Sequence, residues 1–118
     1  MAGKPEFKIQ AALITYLDLA HPDLLRAVSP AAGFNMSMGT AIKMKKMGYQ
    51  KGTPDIIILE PNDKYHGLVI ELKAPGGKIS NEQQKYLSAA HLKGYRAVVM
   101  WGYKDAVSLI ERYLISAC

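Results

Sequence analysis

An α/β sandwich, a small mixed β-sheet flanked by helices, is the fold class this sequence predicts. Three observations predict it. Helix-like and strand-like periodicities alternate along the chain, two short apolar runs are joined by a turn-like segment as a hairpin, and a further strand-like run lies between two helical ones.

Residues 5–19 read as an amphipathic helix. Pro5 suits a first helical position, and Ile9, Leu13, Tyr16 and Leu17 recur at helical spacing to define a buried face. At about 100° per residue, Glu6 falls on the side of Leu13 and Leu17. Two explanations stand for an acid there: it favours the positive end of the helix, or it points into a polar cavity. Gln10, four residues on, is its neighbour on the helix surface. Residues 21–52 are rich in Gly, Pro, Ser, Asn and Met, with weak periodicity. Within them, residues 29–35 suit an ordered loop or short strand. Residues 40–47 suit a short helix with Ile42, Lys45 and Lys46 on separate faces. Loops of this composition often carry substrate contacts.

The hairpin comprises residues 55–60 and 67–73, with Pro61-Asn62-Asp63-Lys64 as its turn. Residues 74–78 are a breaker cluster without the spacing of a phosphate-binding P-loop. Ser80 and Gln83 match a capping box that opens a helix running to about residue 93. Leu87 and Ala90 face inward, and Gly94 supplies the stop. Residues 95–101 are apolar on both faces, which predicts an interior strand covered by helices on each side. Asp105 is placed to cap a last helix that carries Val107, Ile110, Leu114 and Ala117 at helical spacing.

The 118 residues predict one domain, over residues 1–118, and 49% hydrophobic with 21% charged residues is ordinary for a globular protein. No apolar run is long enough to span a bilayer and the N-terminus lacks a signal-peptide pattern, so a cytoplasmic setting is expected. The one cysteine, Cys118, has no partner for a disulfide, and His21, His66 and His91 are scattered without zinc spacing. A net charge of +5 and a pI near 9.3 point to a polyanionic partner. Lys43, Lys45, Lys46 and Lys51 lie within nine residues just before Asp55, and Lys78 follows the hairpin. Such a run is either a solvated surface segment or a patch that contacts phosphates.

The hairpin carries the chemistry. Side chains alternate between the faces of a strand, so Glu71 and Lys73 share a face while Leu68, Ile70 and Leu72 occupy the other. Asp55 enters the first strand where Glu71 leaves the second, and in an antiparallel pair those ends are neighbours. Two carboxylates and an ammonium there are costly to bury without a partner, and a divalent metal ion would be one. Mg²⁺ takes one or two carboxylates and keeps several waters. Asp55 and Glu71 fit that count, the backbone carbonyl of Leu72 offers a further hard oxygen, and Lys73 could orient water or bear on phosphorane charge. The plainer alternative makes Asp55 a turn residue and Glu71 with Lys73 an exposed ion pair.

The runs G-T-P-D-I-I-I-L and G-L-V-I-E-L-K-A-P-G-G-K-I-S-N-E-Q-Q-K-Y-L, with E-x-x-x-Q upstream, resemble the VRR-NUC family. This is the virus-type replication-repair nuclease branch of the PD-(D/E)xK superfamily, whose fold is a restriction-endonuclease-like sandwich. The resemblance implies Asp55 and Glu71 as metal ligands, Lys73 as the catalytic lysine, Glu6 as a first-helix acid completing the site, and Gln83 as the glutamine of the following helix. Gln10 matches more loosely and could simply pack beside Glu6. It further implies a DNA endonuclease using Mg²⁺ or Mn²⁺. For a chain of this length, it implies a stand-alone homodimer of phage or bacterial type, preferring branched DNA such as Holliday junctions. A non-catalytic DNA-binding module on the same fold is the alternative, and an enzyme acting on RNA or a small phosphoester is a third reading.

Overall fold

The computed structural model describes residues 4–29 and 36–116. Its elements are α1 (Lys4–Ala20), β1 (Arg26–Val28), α2 (Met38–Lys46), β2 (Ile56–Ile58), β3 (Leu68–Lys73), α3 (Asn81–Leu92), β4 (Arg96–Trp101) and α4 (Tyr103–Ile115). The four strands form one mixed sheet in the order β1-β2-β3-β4. The β1–β2 and β2–β3 pairs are antiparallel and the β3–β4 pair is parallel.

The expected hairpin is β2–β3, with Ile56 opposite Ile70 and Ile58 opposite Leu68. Asn62 shapes its turn: its Oδ1 accepts the amides of Lys64 at 2.9 Å and Tyr65 at 2.8 Å. Because β3 and β4 are parallel, the chain must cross over between them, and α3 is that crossover.

Alternation along the strands then divides the sheet's faces. Ile56, Ile58, Leu68, Ile70 and Leu72 join Leu13 and Leu17 of α1 and Leu109, Ile110 and Tyr113 of α4 in one core. Each of the fully buried aliphatic side chains contributes about 1.5–3 kcal/mol relative to exposure. The stripe predicted for α1 is borne out by Leu13 and Leu17, both fully buried, with Ile9 and Tyr16 packed beside them. His21, just past α1, ties it to α4 through a 2.7 Å contact with Glu111. The other face of the sheet carries Val69, Glu71 and Lys73, with α3 packed over β3 and β4.

Three expectations need correction. Residues 96–101 form an edge strand, not an interior one. Its two faces meet α3 and α4, which accounts for the apolar pattern, but no described strand pairs with its outer rim. Asp105 does not cap α4: the helix begins at Tyr103 after Gly102, and Asp105 sits in its first turn. The buried stripe of α4 is accordingly Ala106, Leu109, Ile110 and Tyr113, while Val107 and Leu114 flank it and Ala117 lies outside the described residues. Finally, the strand preceding the hairpin is Arg26–Val28, one step before the segment where a loop or strand was expected, of which residues 30–35 lie outside the described residues.

Candidate active site

Among the described residues, three charged side chains are buried: Asp55 at 8% exposure, Glu71 at 2% and Lys73 at 8%. Acidic and basic groups are almost never buried unless paired or engaged, so the exposed-ion-pair alternative fails for these residues. Their convergence follows from the register. Asp55 lies one step beyond the Ile56–Ile70 pair, which sets it opposite Glu71 on the face shared with Lys73. The approach to β2 is pinned from both sides: Pro54 is fully buried, and the Asp55 carbonyl accepts the Ser29 amide at 2.9 Å.

The polar contacts satisfy part of the cluster. Asp55 Oδ2 accepts the Leu72 amide at 2.7 Å. The amide and carbonyl of one strand residue point to the same side, so the Leu72 carbonyl also emerges on the flank where Asp55 lies. Glu71 Oε2 accepts from Gln83 Nε2 at 3.0 Å and has Lys73 Nζ at 3.9 Å. Glu71 Oε1 is buried with no hydrogen-bond partner. Burial raises the pKa of the Asp55 carboxyl, opposed by the Leu72 amide and the Lys73 charge. Burial, the facing Asp55 charge and a hydrogen bond to Asp55 push Glu71 up to about 8. Glu6 adds to that repulsion from α1, so its charge is felt at the site.

Gln83 makes both kinds of contact that the two sequence readings offered: it caps α3 and it reaches Glu71. Its Oε1 accepts the Ser80 amide at 2.8 Å while Ser80 Oγ accepts the Gln83 amide at 3.1 Å, completing the capping box. Its Nε2 remains free for Glu71. Replacing Ser80 with alanine should cost about 1 kcal/mol of stability, measured by denaturant unfolding; no change would mean that this cap is not holding α3.

The structure adds residues that the sequence pattern left without a role. Gly52, at φ +90°, packs so closely on the first turn of α3 that a Cβ there would lie 2.6 Å from the Glu82 carbonyl carbon. The glycine before Thr-Pro-Asp therefore locks the approach to Asp55 against the helix that carries Gln83. Trp101 Nε1 donates to the Gly77 carbonyl at 2.7 Å, folding the 74–77 turn over the Lys73 side chain. A helix-breaking Gly-Gly after the lysine was the sequence signal for that turn; its anchor on Trp101 required the fold.

The lysines divide. Lys51 and Lys78 are exposed on the segments that flank the cluster. Lys43, Lys45 and Lys46 are exposed on α2, which buries no residue of its own. Gln10 is half-buried on α1. Among the described residues, no group of three or more His, Cys, Asp or Glu side chains is arranged to hold a metal ion. The candidate metal-binding set is therefore two carboxylates and a main-chain oxygen. Two carboxyls buried side by side, with Glu71 Oε1 lacking a hydrogen-bond donor, fit a hard cation, because one bound there would let both groups ionise.

A mixed four-stranded sheet between helices, with a buried acid pair and lysine at the hairpin's open end, defines a nuclease-type α/β fold. A profile of the VRR-NUC domain matches residues 33–103, and the chain belongs to that family. A solved structure of a VRR-NUC domain protein is similar at a TM-score of 0.80 and 25% identity, over 96% of this chain and 90% of that one. No curated protein matches the chain.

Proposed function

We propose that this protein is a metal-dependent DNA endonuclease whose centre is Asp55, Glu71 and Lys73, working as a homodimer on branched DNA such as a Holliday junction. The observation that carries the reading is the burial of these three groups together, with one Glu71 oxygen left unpartnered. Asp55, Glu71 and the Leu72 carbonyl would hold Mg²⁺ or Mn²⁺. Such an ion supplies Lewis-acid polarisation of a phosphoryl oxygen and a more acidic water. Lys73 brings a positive charge to where the phosphorane develops. Gln83 fixes the rotamer of Glu71 through one oxygen and leaves the other open. Glu6 adds negative charge that bears on Glu71 from α1. Lys51 and Lys78, with Lys43, Lys45 and Lys46 on α2, would contact phosphates and make binding salt-dependent. Membership of a nuclease-type family and a net charge of +5 support DNA as the partner. No helix among the described residues is long and apolar enough to cross a membrane.

The test is incubation of four-way junctions and linear duplex with the protein in Mg²⁺, Mn²⁺ or EDTA. Metal-dependent cutting, faster on the junction, is expected. Salt-sensitive binding with no cutting would identify a non-catalytic DNA-binding module instead.

The acid pair also sets a pH dependence. Both carboxyls have raised pKa values in the folded, metal-free protein, so that protein binds protons more tightly than the unfolded chain. The stability this confers is present below the ordinary carboxylate range and is lost as pH rises through about 8. Thermal melts of metal-free protein should therefore fall between pH 6 and pH 8.5 in roughly that window. Added Mg²⁺ should raise Tm more at the upper end, where no proton has to be displaced. Glu71→Gln should flatten both trends; an Mg²⁺ effect that is equal at both pH values would contradict the assignment.

A further inference from the structure

Beside the candidate active site, on the same face of the sheet, a groove of about 670 Å³ runs between β2 and α3. It exists because one helix, about 10 Å wide, cannot cover four strands spaced about 4.8 Å apart. α3 lies over β3 and β4, so the α3-facing side of β2 is left open, with Ile57 half-buried and Leu59 45% exposed. The helix face turned toward this gap carries the small side chains Ala89 and Ala90, which keep it open. Ile57 and Val69 of the floor are each two residues along their strand from Asp55 and Glu71, so the groove begins about 7 Å from the carboxylates. The Gly52–Glu82 contact marks the boundary between the two.

The groove's chemistry is specific. Its apolar floor is joined by two tyrosine rings, Tyr86 and Tyr95. Tyr95 is held edge-on against His66 and packs over Gly67. Lys51, Lys85 and Lys93 are exposed along the rim, against the single acid Glu82, and none of the three makes an ion pair among the described residues. Aromatic and apolar surface bordered by unpaired cations complements a polyanion that also offers flat apolar rings, which is a nucleic acid strand with exposed bases. A duplex presents its phosphates outward but keeps its base faces stacked, so it would use the rim and not the floor.

We propose that this groove binds an unpaired stretch of the DNA strand being cut, with bases against Tyr86 and Tyr95 and phosphates at Lys51, Lys85 and Lys93. The proposal rests on the nuclease reading for the identity of the strand, and it makes the groove the element that selects substrates with an unpaired segment next to the cut.

Binding measured without metal separates it from cleavage. Fluorescence anisotropy in EDTA would compare a short labelled oligothymidylate with an abasic oligomer of equal length. The base-bearing strand should bind about five- to a hundred-fold more tightly, the range of base–aromatic stacking. Tyr86→Ala and the groove-filling Ala89→Trp should bring that ratio close to one with abasic binding unchanged, while Tyr86→Phe retains it. Lys85→Ala with Lys93→Ala should weaken both oligomers. Equal binding of the two oligomers by the wild type would overturn the proposal. So would a preference that survives Ala89→Trp in protein with unaltered circular dichroism, or an Ala89→Trp effect confined to oligomer mass, which would identify a second copy of the chain as the occupant. Base preference without metal-dependent cutting would remove the nuclease reading alone, and cutting without base preference would remove the groove alone.

Discussion

Lys73→Met is expected to reduce metal-dependent DNA cleavage by about a hundred- to a thousand-fold, the usual consequence of removing one preorganised charge from a developing anion. Methionine is chosen because Lys73 is buried, and an unbranched apolar side chain of similar length fills the space under the 74–77 turn. The substitution also removes a cation that bears on the acid pair, since the Lys73 charge lowers the pKa of both Asp55 and Glu71. The variant should therefore hold protons on the pair to higher pH, and its residual cleavage should shift its pH dependence upward. Single-turnover kinetics over a pH series would read both effects. An unchanged rate in folded protein would remove Lys73 from the chemistry and leave it a structural counter-charge.

Gly52→Ala should have a large effect although the residue lies outside the buried cluster. The backbone there is at φ +90°, a conformation that costs about 1–2 kcal/mol for a residue with a Cβ. That Cβ would also lie 2.6 Å from the Glu82 carbonyl carbon and oxygen and 2.9 Å from the Gln83 nitrogen, all backbone atoms that have no rotamer by which to retreat. Displacing such packing costs about 1–3 kcal/mol more. The combined loss should lower Tm on the order of 10 °C. Because the contact joins the approach to Asp55 to the first turn of α3, the Asp55–Glu71–Gln83 geometry should loosen as well. Cleavage at a temperature where the variant is still folded should fall. Gly48 is the control: it is also at positive φ, but a Cβ there would meet nothing within 4 Å, so Gly48→Ala should cost only the conformational part.

How legible the fold was in the sequence depended on the range of the signal. The α1 stripe, the β2–β3 hairpin and the Ser80–Gln83 box were readable because each is a local pattern: a 3.6-residue period, a two-residue alternation around a turn, and a pair three residues apart. β1 was not, because three residues, two of them exposed, carry too little alternation to register. The edge position of β4 was hidden because coverage of its faces by α3 and α4 produces the same apolar run as an interior strand. For the candidate site, alternation placed Glu71 and Lys73 together and hairpin register added Asp55. The closeness of Glu6, the double use of the Gln83 amide and the seat of Gly52 all depend on elements far apart in the chain.

The most direct measurement is cleavage of a labelled four-way junction in Mg²⁺ by wild-type protein and by Asp55→Asn, purified identically, with EDTA added to a parallel sample. Asp55→Asn retains the size of the side chain and an oxygen for the Leu72 amide, so the fold should persist. If Asp55 and Glu71 form a metal-dependent cutting centre, the wild type cuts, EDTA stops it, and Asp55→Asn is inactive with the same circular dichroism spectrum. Cutting by Asp55→Asn at the wild-type rate would contradict that account.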